Sequence, residues 1–172
     1  RLSNREYGAV LESVFGAIEP TIITDSSLRA MFGRLPADVL NGREDTRLVD
    51  ATLVSVQTDV AFRLGQLVSG SPTAVRALPG TNQCLSAASV TTACVETFIR
   101  GLGGKLLRRP LTAPELSSYQ ATWNASTNTT TAERITVVVA ALALAPDTRS
   151  QLTDTGTPDG PNPVRLDAAG LA

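Results

Sequence analysis

The sequence predicts an all-α protein, a compact bundle of five or six helices with long loops and one disulfide. Apolar residues recur at the three- and four-residue spacing of a helix face along most of the chain, and no strand-like alternation of any length appears. Three Ser or Thr residues each precede a glutamate by three positions, which is the signature of a helix start. Because 42% of the 172 residues are hydrophobic, the chain can fill a packed core.

The first predicted helix begins at a capping box formed by Ser3 and Glu6. Its apolar face recurs at helical intervals until Pro20, where the helix is expected to stop. Turns follow, with one short helix around Ser27 to Gly33. The residues of the apolar face are Tyr7, Val10, Leu11, Val14, Phe15 and Ile18.

A long second helix is expected to run from a cap at Asp45 or Thr46 to about Val68, because apolar residues line one side of this segment. Gly70 and Pro72 then stop it. A turn of helix over residues 73–78 and a loop over residues 79–82 come next. The apolar stripe consists of Leu53, Val56, Val60, Leu64, Leu67 and Val68.

The third predicted helix is capped by Ser89 and contains three closely spaced glycines. Gly101, Gly103 and Gly104 each cost up to about 1 kcal/mol relative to alanine in a helix interior. They indicate either a close approach between two helices or a break before Lys105.

Two further capping boxes open the last two predicted helices, Thr112 with Glu115 and Thr130 with Glu133. The second of these helices is apolar on several sides, which predicts a central, buried helix. Its β-branched residues leave a buried strand as the alternative. We expect the centre of the core at Ile135, Val138, Val139 and Leu142.

Residues 1–150 are therefore expected to form the helical domain, and residues 151–172 a polar linker with the start of a further helix at Leu166. No signal-peptide pattern is present, so we expect a processed or truncated start. The apolar run over residues 135–145 is too short to cross a bilayer.

Cys84 and Cys94 lie ten positions apart, and the sequence favours a disulfide between them. The alternative is a pair of buried thiols. A disulfide would indicate an oxidising compartment, and therefore an exported protein in the periplasm or outside the cell.

The composition argues against several classes of site. Histidine is absent, which excludes His-based catalytic triads and a Cys-x-x-Cys-His haem attachment within this chain. Two cysteines cannot by themselves form a structural zinc site. A net charge of -1 gives no broad basic field for nucleic acid. We therefore assign no catalytic residue, metal or cofactor to this chain, and whether it belongs to an enzyme stays open.

Lys105, Arg108 and Arg109 form a basic cluster, the candidate contact for an anion or a partner. Arginine and lysine in such a cluster could bind a carboxylate, a phosphate or a haem propionate. The alternative is that they only complement the dipole at a helix C-terminus.

Glu6, Glu115 and Glu133 are interpreted as capping residues rather than catalytic acids. Acidic and amide residues at Asp154, Asp159 and Asn162 do not match an EF-hand and are interpreted as a solvated loop.

Two segments resemble one family, the exported cytochrome-c-associated multidomain proteins of planctomycetes and myxobacteria. Arg1-Leu2-Ser3-Asn4-Arg5-Glu6-Tyr7 is similar to the start of its first helical module. Leu106-Leu107-Arg108-Arg109-Pro110-Leu111-Thr112, followed by Glu115, is similar to a Phe-Arg-Arg-Pro-Leu-Thr-x-x-Glu signature in the next module, with Leu107 in place of the phenylalanine. Ala145-Pro146-Asp147-Thr148 departs from the Ser-Pro-x-Phe-Leu-Tyr-Arg motif of relatives.

The resemblance implies two modules, about 1–70 and 88–150, that share one core. It also implies a c-type haem in a C-terminal remainder or another subunit of the same complex, none of it in this chain. The expected function is a non-catalytic helical scaffold or docking module of an exported redox-associated protein. The alternatives are a structural or assembly subunit of a cell-surface or extracellular complex, and a fragment of an enzyme whose catalytic groups lie on another polypeptide.

Overall fold

A computed structural model describes residues 4–35, 51–81, 83–87, 89–125 and 130–149, together with the backbone of residues 156–158 and 164–166. The described part of the chain confirms the all-α prediction and contains eight α-helices and two short 3₁₀ helices, at Cys84–Ser86 and Pro146–Arg149. The α-helices are α1 (Asn4–Ile18), α2 (Pro20–Thr24), α3 (Ser26–Phe32), α4 (Ala51–Gly70), α5 (Pro72–Ala77), α6 (Thr92–Leu107), α7 (Ala113–Asn124) and α8 (Thr131–Ala143).

Helices α4 and α8 pack against each other at the centre of the fold. Their backbones come so close that a Cβ atom on Gly65 would lie 2.4 Å from the carbonyl oxygen of Thr136. The predicted core centre is confirmed, because Ile135, Val138, Val139 and Leu142 are all buried. The segment is a helix, so the alternative of a buried strand is wrong.

The remaining helices surround this pair and contribute to one continuous hydrophobic core. Helix α1 buries the side chains of Tyr7, Leu11 and Phe15, and the Tyr7 hydroxyl donates a hydrogen bond to the carbonyl oxygen of Ala143 at 3.3 Å. Burial raises the pKa of Tyr7 well above its usual range. Helix α6 packs against α1, α7 and α8, and the Phe98 ring meets Trp123 of α7 edge to face at 6.3 Å.

Several helix starts differ from those that the sequence predicts. Pro20 does not simply end α1, because it occupies the first turn of α2, where its missing N–H is tolerated. The cap of α6 is Thr91 and not Ser89, since the Thr91 hydroxyl accepts a hydrogen bond from the Cys94 N–H at 3.2 Å. The predicted caps at Ser3, Asp45 and Thr46 lie outside the described residues.

The three glycines of α6 do not break the helix, which continues to Leu107. Two of them allow other parts of the chain to approach the helix closely. A close approach was one of the two explanations that the sequence left open. A Cβ atom on Gly101 would lie 2.4 Å from the Pro79 carbonyl oxygen, and one on Gly103 would lie 2.6 Å from a methyl group of Leu111. Gly104 is different and is considered with the candidate site.

Two short strands occur in the segment that the sequence predicts to be a linker and the start of a helix. Gly156–Pro158 (β1) pairs antiparallel with Val164–Leu166 (β2), in a register that places Gly156 opposite Leu166. Leu166, at which the sequence predicts the start of a helix, is therefore the last residue of a strand. Residues 167–172 lie outside the described part of the chain.

Candidate functional site

Arg109, the second arginine of the basic cluster, connects three parts of the fold. Its Nε donates to Asp147 Oδ2 at 2.9 Å, and its Nη1 donates to Glu115 Oε2 at 2.9 Å and to the Pro110 carbonyl oxygen at 3.0 Å. Its Nη2 donates to Glu115 Oε1 at 2.5 Å and also to Asp147 Oδ2. A guanidinium group has five N–H donors, and all five are used here within the chain. We call Arg109, Glu115 and Asp147 the arginine clamp.

Glu115 belongs both to the arginine clamp and to the capping box of α7. Its Oε2 accepts hydrogen bonds from the Thr112 N–H and the Thr112 hydroxyl, both at 2.8 Å. The capping role predicted for Thr112 and Glu115 is thus present, with Arg109 as an additional partner. The charged hydrogen bond from Arg109, together with those from Thr112, lowers the pKa of Glu115 from 4.5 to about 2.

Because all five of its donors are used within the chain, Arg109 has a structural role, and its contact with an anion or a partner stays a prediction. Its guanidinium group joins three segments to one another. These are the connection between α6 and α7, the first turn of α7, and the 3₁₀ helix after α8. The hydrogen bonds to Glu115 and Asp147 raise the pKa of Arg109, which strengthens its preference for the charged form.

Arg108 and Lys105, the other two members of the basic cluster, lie at the C-terminal end of α6. Lys105 is exposed in the last turn of the helix. Arg108 terminates the helix in the left-handed conformation, with a φ of 58°, where glycine is the favoured residue. Its Nη2 donates to the Asp147 carbonyl oxygen at 3.3 Å, so Arg108 also touches the segment after α8.

An open groove of about 520 Å³ runs along this end of α6, and we call it the α6 groove. It is lined by Arg100, Gly104, Arg108, Arg109, Pro110 and Leu111. Three of these residues, Arg100, Gly104 and Arg108, follow one another at four-residue intervals and therefore share one side of the helix. Arg100 pairs with Glu96 through a contact of 2.8 Å, but this ion pair is largely solvated, with side-chain exposures of 49% and 39%.

Gly104 lies in the α6 groove and has no packing partner that would exclude a side chain. The nearest atom to a Cβ built on this residue is the Arg109 carbonyl oxygen, at the comfortable distance of 3.9 Å. Alanine would stabilise the helix at this position by about 0.5–1 kcal/mol. The fold alone therefore gives no reason for a glycine here.

Other acidic side chains are also bound within the chain. Glu133 completes the predicted capping box of α8, accepting from the Thr130 N–H at 2.7 Å, and this bond lowers its pKa. Asp25 accepts from Ser27 and from Arg63, which together hold its pKa well below the usual range. Both carboxylates cap helices, as predicted for Glu133, and Asp25 also joins α3 to α4 through Arg63.

Glu19 belongs to a second, smaller polar cluster between α2 and α5. Its carboxylate accepts hydrogen bonds from the hydroxyl groups of Ser71 and Thr21, at 2.5 and 2.7 Å, and both bonds lower its pKa. Ser71 is at the same time the cap of α5, because its hydroxyl accepts from the Ala74 N–H. The cluster therefore anchors the start of α5 to the end of α1.

Cys84 and Cys94 form the disulfide that the sequence favours. Their Cα atoms lie 5.9 Å apart, within the range of protein disulfides, and the alternative of two buried thiols does not apply. The bond ties the 3₁₀ helix after α5 to the first turn of α6, so it fixes the N-terminal end of the helix whose other end carries the α6 groove.

The described residues contain neither a cluster of metal ligands nor a membrane-spanning helix. No group of three or more His, Cys, Asp or Glu side chains among them could hold a metal ion. No helix in the same part of the chain is long and apolar enough to cross a membrane. The loop residues Asp154, Asp159 and Asn162 lie outside it.

Comparison with known proteins gave no match: no family model fits the chain, and neither a curated protein nor a solved structure is similar to it. The site is consequently interpreted from its geometry.

The roles of three residues in this region were not predicted from the sequence. Asp147 lies 38 residues from Arg109, beyond the reach of any local pattern. Arg100 was not considered, although its four-residue spacing from Gly104 and Arg108 would have placed all three on one side of α6. Gly104 was noticed, but only the structure separates it from Gly101 and Gly103.

Proposed function

We propose that this chain is a non-catalytic helical scaffold and docking module of an exported, redox-associated protein. The observation that carries the proposal is the arginine clamp. The segment with the most specific family resemblance, Arg108 to Glu115, uses Arg109 and Glu115 to hold together the α6–α7 connection, the first turn of α7 and the 3₁₀ helix after α8. A motif that fixes three elements is what a scaffold requires, and the groove beside it offers a surface for docking.

The exported location rests on the disulfide, since such bonds persist mainly in oxidising compartments. The redox association rests on the resemblance to cytochrome-c-associated proteins, whose haem would be carried by a C-terminal remainder or by another subunit. Under this proposal, the chain holds that haem-bearing partner in place and takes no part in the chemistry itself.

Purification from the native source tests this proposal. The tagged chain should copurify with a haem-bearing polypeptide, visible as c-type bands in a reduced-minus-oxidised absorption spectrum and identified by mass spectrometry. A Val139→Asp variant is the control, because a charge in the fully buried core should unfold the module and abolish recovery of the haem. A colourless, monomeric wild-type chain would contradict the proposal.

A second candidate, a subunit that assembles with copies of itself or with a surface polymer, is favoured by one observation. Val54 and Phe62 on α4 are 45% and 41% exposed, and their spacing of eight residues places them on one side of the helix. If this side mediates assembly, sedimentation should show an oligomer that Phe62→Gln converts to a monomer. A wild-type monomer at all concentrations would exclude self-assembly through α4.

A further inference from the structure

The two cysteines of the disulfide differ in their exposure to solvent. Cys84 is only partly buried and lies in a 3₁₀ helix between the exposed residues Gln83 and Ala87. Cys94 is 4% exposed and packs into the common core. A thiolate breaks a disulfide by attacking one of its sulfur atoms, and the rate depends on access to that atom. Exchange with an external thiol therefore begins at Cys84, and Cys94 is the residue whose sulfur leaves.

The position of Cys94 in α6 favours the same order of events. Cys94 is the third residue of the helix, after the cap Thr91. The N–H groups of a first turn carry partial positive charge, which stabilises a thiolate at this end of a helix. A more stable thiolate leaves a disulfide faster. The one acidic residue of α6, Glu96, is paired with Arg100 at 2.8 Å, which offsets its negative charge.

Contacts other than the disulfide hold Cys84 in its place. Its N–H donates a hydrogen bond to the Thr81 carbonyl oxygen at 2.7 Å. Thr81 is itself buried, and its hydroxyl donates to the Leu78 carbonyl oxygen at 3.0 Å. The next residue, Leu85, is only 3% exposed and anchors the 3₁₀ helix in the core. The backbone around Cys84 is therefore fixed without the sulfur–sulfur bond.

The chain that leads from α5 to Cys84 also lies directly against the helix that carries Cys94. A Cβ atom on Gly80 would lie 2.6 Å from the Thr97 carbonyl oxygen, and one on Gly101 would lie 2.4 Å from the Pro79 carbonyl oxygen. Two glycines thus let the two backbones touch. Because packing holds both cysteines to one body, their thiols stay next to each other when the bond is reduced, and the bond can form again.

We propose that Cys84 and Cys94 form a reversible two-electron redox couple that exchanges with a dithiol. One thiolate of the dithiol attacks the Cys84 sulfur, the disulfide breaks, and its electron pair leaves on the Cys94 sulfur. The second thiolate then attacks the dithiol's own sulfur in the mixed disulfide, which forms the disulfide of the dithiol and releases Cys84. The two protons of the dithiol end on the two cysteines, so the protein is reduced and the dithiol is oxidised.

The geometry favours a dithiol over a monothiol as the partner. After a monothiol attacks Cys84, the Cys94 thiolate lies beside the mixed disulfide and expels the monothiol before a second molecule arrives. The second thiol of a dithiol competes with Cys94 because its attack is also intramolecular, at a high effective concentration. This redox couple goes beyond the docking role proposed above, and it requires no haem-bearing partner.

Equilibration of the full chain with mixtures of reduced and oxidised dithiothreitol, without denaturant, tests the couple. Free thiols are trapped with N-ethylmaleimide and counted by mass spectrometry, while circular dichroism follows the helix content. We expect complete reduction and complete reoxidation as the mixture is varied, with the helical spectrum retained throughout. Glutathione at the same thiol concentration should reduce at least about tenfold less protein. A disulfide that is reduced only after unfolding in urea, or a reduced chain that does not reoxidise, would overturn the inference.

Single-cysteine variants test which sulfur is attacked. In the folded protein, a pyridyl disulfide should modify Cys84 of the Cys94→Ala variant at least about tenfold faster than Cys94 of the Cys84→Ser variant, because Cys94 is buried. In urea the two rates should converge, which shows that the fold causes the difference. Faster modification of Cys94 in the folded protein would contradict the assigned order of attack.

Two glycine variants of α6 test whether packing holds the couple together. Gly101→Ala should push the Pro79 backbone away from the helix and shift the equilibrium toward the dithiol by at least about tenfold. Gly104→Ala is the matched control, because its methyl group meets no atom closer than 3.9 Å, and it should leave the equilibrium unchanged. Identical equilibria in the wild type and both variants would refute the role of the packed loop. If Gly101→Ala does not fold, the dithiothreitol titration and the single-cysteine variants decide the inference.

Discussion

At the scale of single residues, the arginine clamp depends on the flat, five-donor geometry of a guanidinium group. An ammonium group offers three donors from one point and cannot reach the carboxylates of Glu115 and Asp147 from two directions in one plane. The clamp residues are only about one quarter to one third exposed, so their hydrogen bonds are partly shielded from water.

Arg109→Lys should therefore destabilise the protein by about 2 kcal/mol, since charged hydrogen bonds of this kind contribute about 1.5–3 kcal/mol each and at least one is lost outright. Urea denaturation of the purified chain measures the change. The matched control is Arg100→Lys, which alters a solvated pair with Glu96 and should change the stability by less than about 0.5 kcal/mol. Equal losses of stability in the two variants would show that the arginine clamp does not stabilise the protein more than a solvated ion pair does.

The lowered pKa of Glu115 makes the clamp sensitive to acid. The carboxyl titrates near 4.5 in an unfolded chain and near pH 2 in the folded protein, so its contribution to stability is complete above about pH 4.5 and is lost as the pH falls toward 2. Glu115→Gln should thus lower the stability at pH 7 and flatten its decline between pH 5 and 2. Parallel curves for wild type and Glu115→Gln would exclude a role for this titration.

Residues near each other in sequence were predicted well, and distant partners were not. Thr112 with Glu115 and Thr130 with Glu133 follow a local rule, because a capping box joins two residues only three positions apart, and both capping boxes are present. The roles of Arg109 and Arg63 depend on carboxylates 38 residues away in each case. Such pairs form only when distant elements pack together, so no local sequence pattern predicts them.

At the scale of helices, the contact between α4 and α8 determines the shape of the core. The periodicity of both segments predicted their burial, but the closeness of their backbones depends on Gly65, which the apolar stripe does not reveal. The start of α2 was missed for a related reason. Proline ends one helix and opens the next equally well, so only the tertiary arrangement decides between a turn and a new helix at Pro20.

Gly65→Ala should separate α4 from α8 and destabilise the protein by about 1–3 kcal/mol, although alanine is the better helix former. The added methyl group would lie 2.4 Å from a backbone oxygen of Thr136, which cannot rotate away as a side chain would. Thermal unfolding of the variant measures the loss. Gly70→Ala, in open space on the same helix, should change the melting temperature little. A Gly65→Ala variant as stable as the Gly70→Ala variant would show that the two helices can move apart without cost.

At the scale of the whole molecule, the disulfide connects the first half of the fold to the helix that carries the α6 groove. Cys84 follows α5, and Cys94 lies in the first turn of α6, where it is buried against the common core. The bond closes a short loop and so limits the freedom of the unfolded chain more than it adds contacts to the folded one.

Removing the bond should therefore lower the free energy of unfolding by about 2–3 kcal/mol without changing the fold. The Cys84→Ser, Cys94→Ala double variant and the reduced wild-type protein should unfold at similar, lower urea concentrations than the oxidised protein. Serine suits the more exposed Cys84, and alanine suits the buried Cys94, so no polar group is left unpaired in the core. Peptide mapping of native material should recover the two cysteines linked. Free thiols at both positions would remove the physical basis for placing this module in an oxidising compartment, and with it the argument that its docking partner is met outside the cytoplasm.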